Sequence, residues 1–404
     1  MKSYKVLHIF TIINTAKAFF DGQFSYLASN NIEMTIMSSS EEDKDFCKRN
    51  NVSYVQTDIK RRVSPFGDVK TIYKLINLIR KEKYDAVIGH TPKGAMIAMI
   101  ASKLAGTALR IYYRHGLIYT TSHGIYRKIL KFVEQLTSAC ANRIVNVSPS
   151  LSKLAVSDHL NSENKQIVIG YGTCGGIDCQ NLFNPDIISN DKIRELQKSL
   201  NISIDDIVIG FCGRLCKDKG IRELIDGFLE FKEKNPSLNL KLLLVGPYDD
   251  RDILPDEYKQ RISDELSIIH VGRIKKQKLP LYYSLMTLFM FPSYREGFGM
   301  TVIEANAMGI PALVSKSHGC IDSIDPHISG EYLEEISPTG IVEGLDKMIH
   351  SNLLSKLSGQ SREVVIKKYD QTIVWPKILK LYKSGFALAS WHYESLQTTS
   401  QTGE

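Results

Sequence analysis

The chain has 404 residues, of which 43% are apolar and 24% charged, and its formal net charge is +7. This composition is typical of folded proteins and the length predicts two domains, so disordered and fibrous classes are excluded. The longest apolar runs are shorter than the ~18 to 20 residues of a membrane-spanning helix. The seven cysteines include no Cys-x-x-Cys pair, so neither a disulfide framework nor a zinc site is predicted, and a reducing cytosol is expected.

The first 20 residues, MKSYKVLHIFTIINTAKAFF, allow two interpretations. Lys2 and Lys5 precede an apolar patch, as they do in a secretory signal peptide. His8 interrupts that patch, however, and the pattern equally fits a buried strand followed by a helix. Of the two, we expect the strand.

Short apolar or β-branched runs alternate with longer helical patterns along most of the chain. The predicted strands are YKVLHIF, IEMTIMSS, YDAVIGH, RIYYRHG, RIVNVS and IVIGYG in the first half and DIVIGFCGR, LKLLLVGP, IIHVGR, LFMFPS and PALVS in the second. This alternation predicts an α/β protein with two doubly wound, Rossmann-like parallel-sheet domains. Ligands of such sheets bind beyond the carboxyl ends of the strands, so we expect a cleft where the two domains face each other.

The boundary between the domains is predicted in GGIDCQNLFNPDIISND, where Gly, Pro and Asn accumulate. The predicted parts are a first Rossmann-like domain over residues 1–180 and a second over residues 181–370. A helix over residues 371–390 is expected to pack back on the first domain, and residues 391–404 are expected to form a solvated tail.

Positive charge is concentrated in the first domain. Residues 1–180 hold 24 Lys+Arg and 14 Asp+Glu, whereas residues 181–404 hold 27 and 30. This asymmetry fits attraction to anionic lipid or to nucleic acid, and solvated helix faces alone would also produce it. Nucleic acid is disfavoured because no basic stretch is interleaved with aromatic residues that could stack on bases.

Two cations follow the first strand of the second domain. In GFCGRLCKDKGI, Arg214 and Lys219 lie just beyond the predicted strand, at the carboxyl edge of its sheet. A guanidinium grips phosphate oxygens with two parallel hydrogen bonds, and a lysine adds a point charge. The two residues could therefore stabilise a diphosphate leaving group. The alternative is a pair of solvated cations at the start of a helix.

The stretch PSYREGFGMTVIEANAMGIPALVS contains two glutamates around a glycine-bracketed turn. Glu296 is predicted on the loop that leaves a strand, and Glu304 about one turn into the following helix. Gly297 and Gly299 let the backbone approach a ligand closely, and the helix start suits an anion. Carboxylates beside a phosphate site fit a sugar nucleotide, whose hydroxyl groups flank its charge. The alternative is a surface loop acid and a helix-start acid.

These motifs resemble those of the retaining family 4 glycosyltransferases of the GT-B fold. That family has an Arg and a Lys after the first strand of its second domain, followed by a Glu-x7-Glu motif. HTPKGAMIA, YYRHGLIY, NRIVNVSPSL and GYGTCGGIDCQNLF are similar to the branch that builds bacterial capsules, O-antigens and related surface polysaccharides. The resemblance covers nearly the whole chain, and it implies that residues 1–180 form an acceptor-binding domain and residues 181–370 a nucleotide-sugar donor-binding domain. It departs at FTIINTAKAFF, where relatives have a Gly-Gly turn, and at GGID, where they often have Asn-Gly-Val/Ile-Asp.

The resemblance implies roles for individual residues. Arg214 and Lys219 would bind the donor diphosphate, Glu296 the sugar hydroxyls, and Glu304 the ribose. His115 matches a histidine near the transferred sugar, although a histidine at a strand end is often structural. The other implied donor-binding residues are Val271, Gly272, Gly297, Phe298, Gly299, Met300 and Thr301. The candidate acceptor-side residues are Lys60, Arg61, Arg62, His90 and Lys93.

The sequence and its resemblance together predict a cytosolic, retaining glycosyltransferase that needs neither a metal nor a cofactor. It would transfer a hexose or N-acetylhexosamine from a UDP-sugar to a growing glycan, and the acceptor would be linked to polyprenyl diphosphate at the inner leaflet of the membrane. In the mechanism that the resemblance implies, a leaving phosphate oxygen takes the acceptor's proton. Two alternatives remain: a nucleotide-sugar epimerase or hydrolase on the same fold, and a non-catalytic nucleotide-sugar-binding scaffold.

Overall fold

The structure, a computed structural model, describes residues 3–60 and 64–401, and side chains through residue 387. Its contacts divide the chain into two compact units, Met1–Gly176 with Thr372–Glu404, and Ile177–Gln371. The division after Gly176 falls within the glycine-rich segment in which the sequence places the domain boundary, slightly before residue 180.

One parallel sheet forms the centre of the first unit. Its seven strands in the described residues are β1 (Tyr4–Ile9), β2 (Ile32–Ser38), β3 (Val52–Gln56), β4 (Ala86–His90), β5 (Leu109–Arg114), β6 (Arg143–Asn146) and β7 (Gln166–Val168). They lie in the order β3-β2-β1-β4-β5-β6-β7. Because β1 pairs with β2 on one side and β4 on the other, the strand interpretation of the first residues is confirmed.

Seven helices of the first unit connect these strands, as parallel pairing requires. They are α1 (Ile13–Phe19), α2 (Gln23–Ala28), α3 (Lys44–Asn50), α4 (Pro65–Glu82), α5 (Pro92–Ala105), α6 (Gly124–Cys140) and α7 (Pro149–Ser157) in the described part of the chain. Leu7 and Ile9 join the core cluster on one face of the sheet. Side chains alternate along a strand, so His8 lies on the opposite face.

The second unit repeats this architecture. Its described strands are β8 (Ile207–Cys212), β9 (Leu240–Val245), β10 (Ile268–His270), β11 (Leu288–Phe291), β12 (Ala312–Ser315) and β13 (Gly330–Leu333). They form a parallel sheet in the order β10-β9-β8-β11-β12-β13. Its described helices are α8 (Asn190–Ser199), α9 (Ile221–Lys234), α10 (Asp256–Asp264), α11 (Leu279–Tyr283), α12 (Met300–Ala307), α13 (Pro338–Ile349) and α14 (Leu353–Tyr369).

A last helix, α15 (Gln371–Gln401), returns the chain to the first unit. The Trp375 indole donates to the carbonyl oxygen of Gly175 over 2.9 Å, and Phe386 stacks on Tyr4 with 4.0 Å between ring centres. The helix continues through residues for which the sequence predicts a solvated tail. No glycine or proline interrupts the chain between Gly385 and Gln401, so nothing in this stretch ends the helix before that point.

Two strands, β3 and β13, were not predicted from the sequence. Both are edge strands, each paired with one neighbour among the described strands. β3 has only half-buried and exposed positions, and β13 is four residues long and begins with a glycine. Edge strands bury less apolar surface than interior ones, so their sequence pattern is weaker.

Candidate active site

The donor-site residues predicted from the sequence all lie in the second unit, near the carboxyl ends of its strands. Arg214 lies two residues beyond β8, and the loop that carries Glu296 connects β11 to α12. Gly246, after β9, packs on the turn that carries Arg214, because a Cβ there would lie 1.8 Å from the carbonyl oxygen of Gly213. The loops after β8 and β9 are therefore in close contact at one edge of the sheet.

Lys219 and Glu296, 77 positions apart in the sequence, form an ion pair between Nζ and Oε1. The pair is largely shielded from solvent, because the side chains are only 13% and 16% exposed. The Lys219 Nζ also lies 3.5 Å from the carbonyl oxygen of Arg295 and 5.8 Å from the centre of the Phe291 ring. The structure thus brings one predicted phosphate ligand against the carboxylate predicted to bind sugar hydroxyls.

A left-handed glycine makes this pairing possible. Gly220, directly after Lys219, has φ of +65°, and a Cβ there would lie 2.2 Å from the carbonyl oxygen of Pro292. Only glycine adopts this backbone conformation without strain while leaving room for the neighbouring chain. The loop after β8 therefore packs directly on the loop after β11.

Arg214 is paired with Asp249, a residue that the sequence analysis missed. Asp249 follows β9, the neighbour of β8, so its only sequence signal is a position beyond an adjacent strand. Burial favours a higher pKa for this carboxyl, but hydrogen bonds from the backbone N–H groups of Asp252 and Arg251 and from the Arg214 guanidinium outweigh it and lower the pKa to about 2. Arg214 is half exposed, so it keeps N–H donors for a phosphate.

The EGFG turn is held from two sides. The Gly299 N–H donates to the carbonyl oxygen of Gly319 over 3.3 Å, and a Cβ on Gly319 would lie 2.6 Å from the carbonyl oxygen of Gly297. The Phe298 ring is buried against Tyr369, so only its backbone is left for a ligand. The Thr301 Oγ1 is buried and has no hydrogen-bond partner among the described residues, so it is available to a polar ligand atom.

Glu304 lies on α12 and is 7% exposed. Burial raises its pKa, although Lys276 and a hydrogen bond from Tyr283 oppose the rise. The Tyr283 hydroxyl donates to its Oε2 over 3.0 Å and orients the carboxylate. No motif pointed to Tyr283, which comes from the separate helix α11.

Val271 and Gly272 follow β10, the edge strand beside β9. Gly272 has φ of +66°, and no atom lies within 4 Å of the position of a Cβ. Its carbonyl oxygen accepts a hydrogen bond from the Gly246 N–H over 2.8 Å. The segment is therefore tied to the loop after β9 and borders open space, which suits the donor-binding role that the resemblance implies for these two residues.

The remaining predicted residues lie in the first unit. His115 directly follows β5, Lys60 is exposed, and Lys93 is paired with Asp68 over 2.9 Å. His90 is fully buried, and both of its ring nitrogens bond to other histidines, so it has no nitrogen left for the predicted acceptor contact. The predicted sites Arg61 and Arg62 lie outside the described residues.

The described residues contain neither a candidate metal-binding cluster nor a helix that could span a membrane. No group of three or more His, Cys, Asp or Glu side chains could hold a metal ion in this part of the chain. Among the same residues, none of the helices has the length and apolar character required to cross a bilayer.

The fold is that of a GT-B glycosyltransferase, and comparisons with known proteins agree. Residues 192–368 match the family described as glycosyl transferases group 1, and residues 8–148 match glycosyl transferase 4-like proteins. The capsular polysaccharide biosynthesis glycosyltransferase CapM of Staphylococcus aureus is 31% identical over 388 residues, which cover 95% of this chain and 98% of CapM. The chain therefore belongs to the family 4 glycosyltransferases, and the resemblance seen in the sequence is confirmed.

More distant relatives agree with this assignment. An Escherichia coli protein named UDP-Gal:alpha-D-GlcNAc-diphosphoundecaprenol alpha-1,3-galactosyltransferase is 23% identical, with 80% of this chain and 81% of that protein aligned. The crystal structure of Anabaena HepE with UDP and glucose superposes with a TM-score of 0.77 at 15% identity, covering 95% of this chain and all of HepE. That likeness confirms the GT-B fold.

Proposed function

We propose that the protein is a retaining, metal-independent glycosyltransferase that uses a UDP-sugar, with a hexose or N-acetylhexosamine as the transferred group. The proposed acceptor is a lipid-linked or growing glycan of a surface polysaccharide. The observation that carries the donor half of this proposal is the Lys219–Glu296 pair beside Arg214, which combines phosphate-binding and hydroxyl-binding groups at one sheet edge. The relatives named for capsule synthesis and for a UDP-sugar with a diphosphoundecaprenol acceptor support the rest.

The ion pairs of the site suggest how a donor binds. The diphosphate would draw Lys219 away from Glu296, and the freed carboxylate would accept hydrogen bonds from sugar hydroxyls. The exposed N–H groups of Arg214 would bind a phosphate oxygen while Asp249 holds the other side of the guanidinium. Glu304, oriented by Tyr283, would accept hydrogen bonds from the ribose.

In the proposed chemical step, the main role of the protein is to stabilise the negative charge that develops on the leaving diphosphate. The bond between the anomeric carbon and the phosphate oxygen breaks, the acceptor hydroxyl oxygen bonds to that carbon, and its proton passes to the leaving phosphate on the same face. Arg214 and Lys219 supply positive charge where negative charge develops. Removal of one such preorganised donor typically costs about 10² to 10³ in rate.

An amphipathic surface of the first unit supports a peripheral position at an anionic membrane. On α4, Phe66, Val69 and Tyr73 share one helix face and are 93%, 66% and 65% exposed. On α6, Ile125 and Phe132 are 72% and 63% exposed. Exposed apolar stripes of this size are unusual unless a lipid or protein covers them.

Lysines flank both stripes. Lys70 and Lys74 lie beside the stripe on α4, and Lys128 lies beside the one on α6. The helix α5 packs against both α4 and α6, so the three helices form one layer. Insertion of a phenylalanine contributes about 1.5 to 3 kcal/mol, and each basic residue near an anionic surface about 1 kcal/mol. These terms together favour the inner leaflet, where the proposed acceptor lies.

Co-sedimentation tests the membrane proposal. We expect the protein to bind phosphatidylglycerol vesicles at low salt, more weakly at high salt, and the double variant Phe66→Ser/Phe132→Ser to lose most of this binding. Leu266→Ser is the matched control, because Leu266 is 89% exposed in the second unit. Equal binding of all three proteins, or none by the wild type, would refute the proposal.

Release of UDP tests the transferase itself. A panel of UDP-sugars is incubated with and without a polyprenyl-diphosphate-linked glycan, and with or without EDTA, and the anomeric configuration of the product is read by NMR. We expect release from one donor only with acceptor, no effect of EDTA, a retained configuration, and loss of activity in Arg214→Ala. Release without acceptor would favour the hydrolase or epimerase alternative. No release from any donor, and no shift of the melting temperature by UDP, would favour the scaffold.

A further inference from the structure

Four side chains of the first unit form a continuous line of hydrogen bonds, here called the histidine relay: Tyr382, His8 and His90 are buried, and His115 is partly buried. The Tyr382 hydroxyl lies 3.2 Å from Nε2 of His8, and Nδ1 of His8 lies 2.9 Å from Nε2 of His90. Nδ1 of His90 lies 3.0 Å from Nε2 of His115. The line ends at Nδ1 of His115, which is buried and has no partner among the described residues.

Aromatic rings enclose the imidazoles. Phe10 stacks on His90 with 4.1 Å between centres, and Phe24 meets His8 edge-on at 5.0 Å. Burial lowers the pKa of His8 and of His115 to about 3, and the pKa of His90 is also lowered, first by burial and then by its two histidine neighbours. Each ring is therefore neutral at physiological pH, with one N–H and one lone pair.

Tyr382 decides the direction of the relay. Its hydroxyl is buried, and its hydrogen-bond partner among the described side chains is His8 alone. If Nε2 of His8 carried the proton, two buried groups would be unsatisfied, the hydroxyl proton of Tyr382 and the Nδ1 lone pair of His115. The opposite direction leaves one, the Nδ1–H of His115, which can donate to a ligand oxygen. The hydroxyl therefore donates to His8, and each imidazole in turn must donate from Nδ1 to the next. The last ring, His115, then also carries its proton on Nδ1.

We propose that the relay from Tyr382 sets the tautomer of His115, so that its Nδ1–H donates a hydrogen bond to an oxygen atom of the substrate. In this state His115 binds an oxygen lone pair and does not act as a general base through Nδ1. Tyr382, His8 and His90 are positioning residues, because they act through His115. The identity of the substrate rests on the proposed glycosyl transfer, whereas the tautomer does not.

Long-range ¹H–¹⁵N correlation NMR of protein labelled with ¹⁵N-histidine reads the tautomer directly. His115→Asn assigns the signal of His115. In the wild type we expect the Nδ1–H form of His115 to exceed the Nε2–H form by about tenfold, the cost of the one additional buried group that the opposite direction leaves unsatisfied. An Nε2–H or doubly protonated His115 in the wild type overturns the proposal, and this measurement needs no variant of Tyr382.

Tyr382→Phe removes the group that sets the direction, so we expect the Nε2–H form of His115 to become populated. Tyr113→Phe is the matched control: its ring lies 5.0 Å from that of His115, but its hydroxyl donates to the carbonyl oxygen of Cys174. Unchanged tautomers in Tyr382→Phe, or equal shifts in both variants, would refute the positioning role.

The activities of two His115 variants test the proposed contact with the substrate. The side-chain amide of Asn approximates the position of Nδ1, and that of Gln approximates Nε2. We therefore expect His115→Asn to keep a kcat/KM about tenfold above that of His115→Gln, and the reverse order would contradict the proposed contact. If the tautomers are as expected but no protein transfers sugar, the relay stands and the proposed function fails.

Discussion

The Lys219–Glu296 pair leads to a prediction in which binding and turnover move in opposite directions. In Glu296→Gln, Lys219 loses its charged partner, so a diphosphate no longer competes with a carboxylate for the ammonium group. We expect UDP to bind more tightly than in the wild type. Turnover of the UDP-sugar should fall, because the proposed contact of Glu296 with the sugar hydroxyls loses its charge.

The magnitude follows from the burial of the pair. Two unit charges 4 Å apart attract with about 4 kcal/mol at an effective dielectric constant of about 20, and desolvation cancels much of this. Exposed pairs retain about 0.2 to 1 kcal/mol. The Lys219 and Glu296 side chains are 13% and 16% exposed, so the pair is expected to contribute a net stabilisation of about 1 kcal/mol. This corresponds to UDP binding about fivefold more tightly, with turnover reduced by about 10² to 10³.

Calorimetric titration with UDP and the initial rate of UDP-sugar turnover measure the two quantities. Glu331→Gln is the control, because Glu331 lies on the edge strand β13 and pairs with Lys347 over 2.9 Å, away from the residues of the site. It should change neither quantity. Tenfold weaker UDP binding in Glu296→Gln, or unchanged turnover, would refute the reasoning.

Three further predictions concern single residues. Burial raises the pKa of Glu304, so its carboxylate becomes protonated at a higher pH than that of an ordinary glutamate. UDP titrations of the wild type should show a fall in affinity as this carboxylate is protonated, and those of Glu304→Gln should show no such step. The pKa of Asp249 is lowered to about 2, so its ionised carboxylate contributes up to about 2 kcal/mol of stability above pH 4, and this contribution is lost as the pH falls through 2. Asp249→Asn should therefore lower the free energy of unfolding at pH 7 but not in strong acid, as urea titrations can test. Gly220→Ala should cost about 1 to 3 kcal/mol, seen as a lower melting temperature, because its Cβ would overlap the Pro292 carbonyl; a neutral result would contradict the close packing of the two loops.

Prediction from the sequence succeeded where local pattern and local position suffice. Eleven of the described strands, the nine interior ones and the edge strands β7 and β10, were predicted from their apolar or β-branched runs. The edge strands β3 and β13 were missed because β3 has no buried position and β13 is four residues long and contains a glycine and a glutamate. Glu296 and Glu304 were predicted because they share one loop-helix segment, whose glycines mark a close backbone approach.

Partners from distant segments could not be predicted. Asp249 and Tyr283 carry no motif, and they become visible only when β8, β9 and α11 are placed beside the donor residues. His90, in the segment HTPKGAMIA, was predicted as a candidate acceptor-side residue. Burial and two histidine neighbours give it a supporting position instead.

The sequence alone determined that the protein is α/β with two parallel-sheet domains, and it pointed to the cations and carboxylates of the proposed donor site, because strand periodicity and strand-loop-helix motifs are local. The tertiary structure decided which charges neutralise each other and which tautomer the buried histidines adopt. Tyr382 is 374 positions from His8, and no local pattern records that α15 places its hydroxyl against β1. Hydrogen-bond direction depends on the partners at both ends of a relay, and only the folded chain brings those ends together.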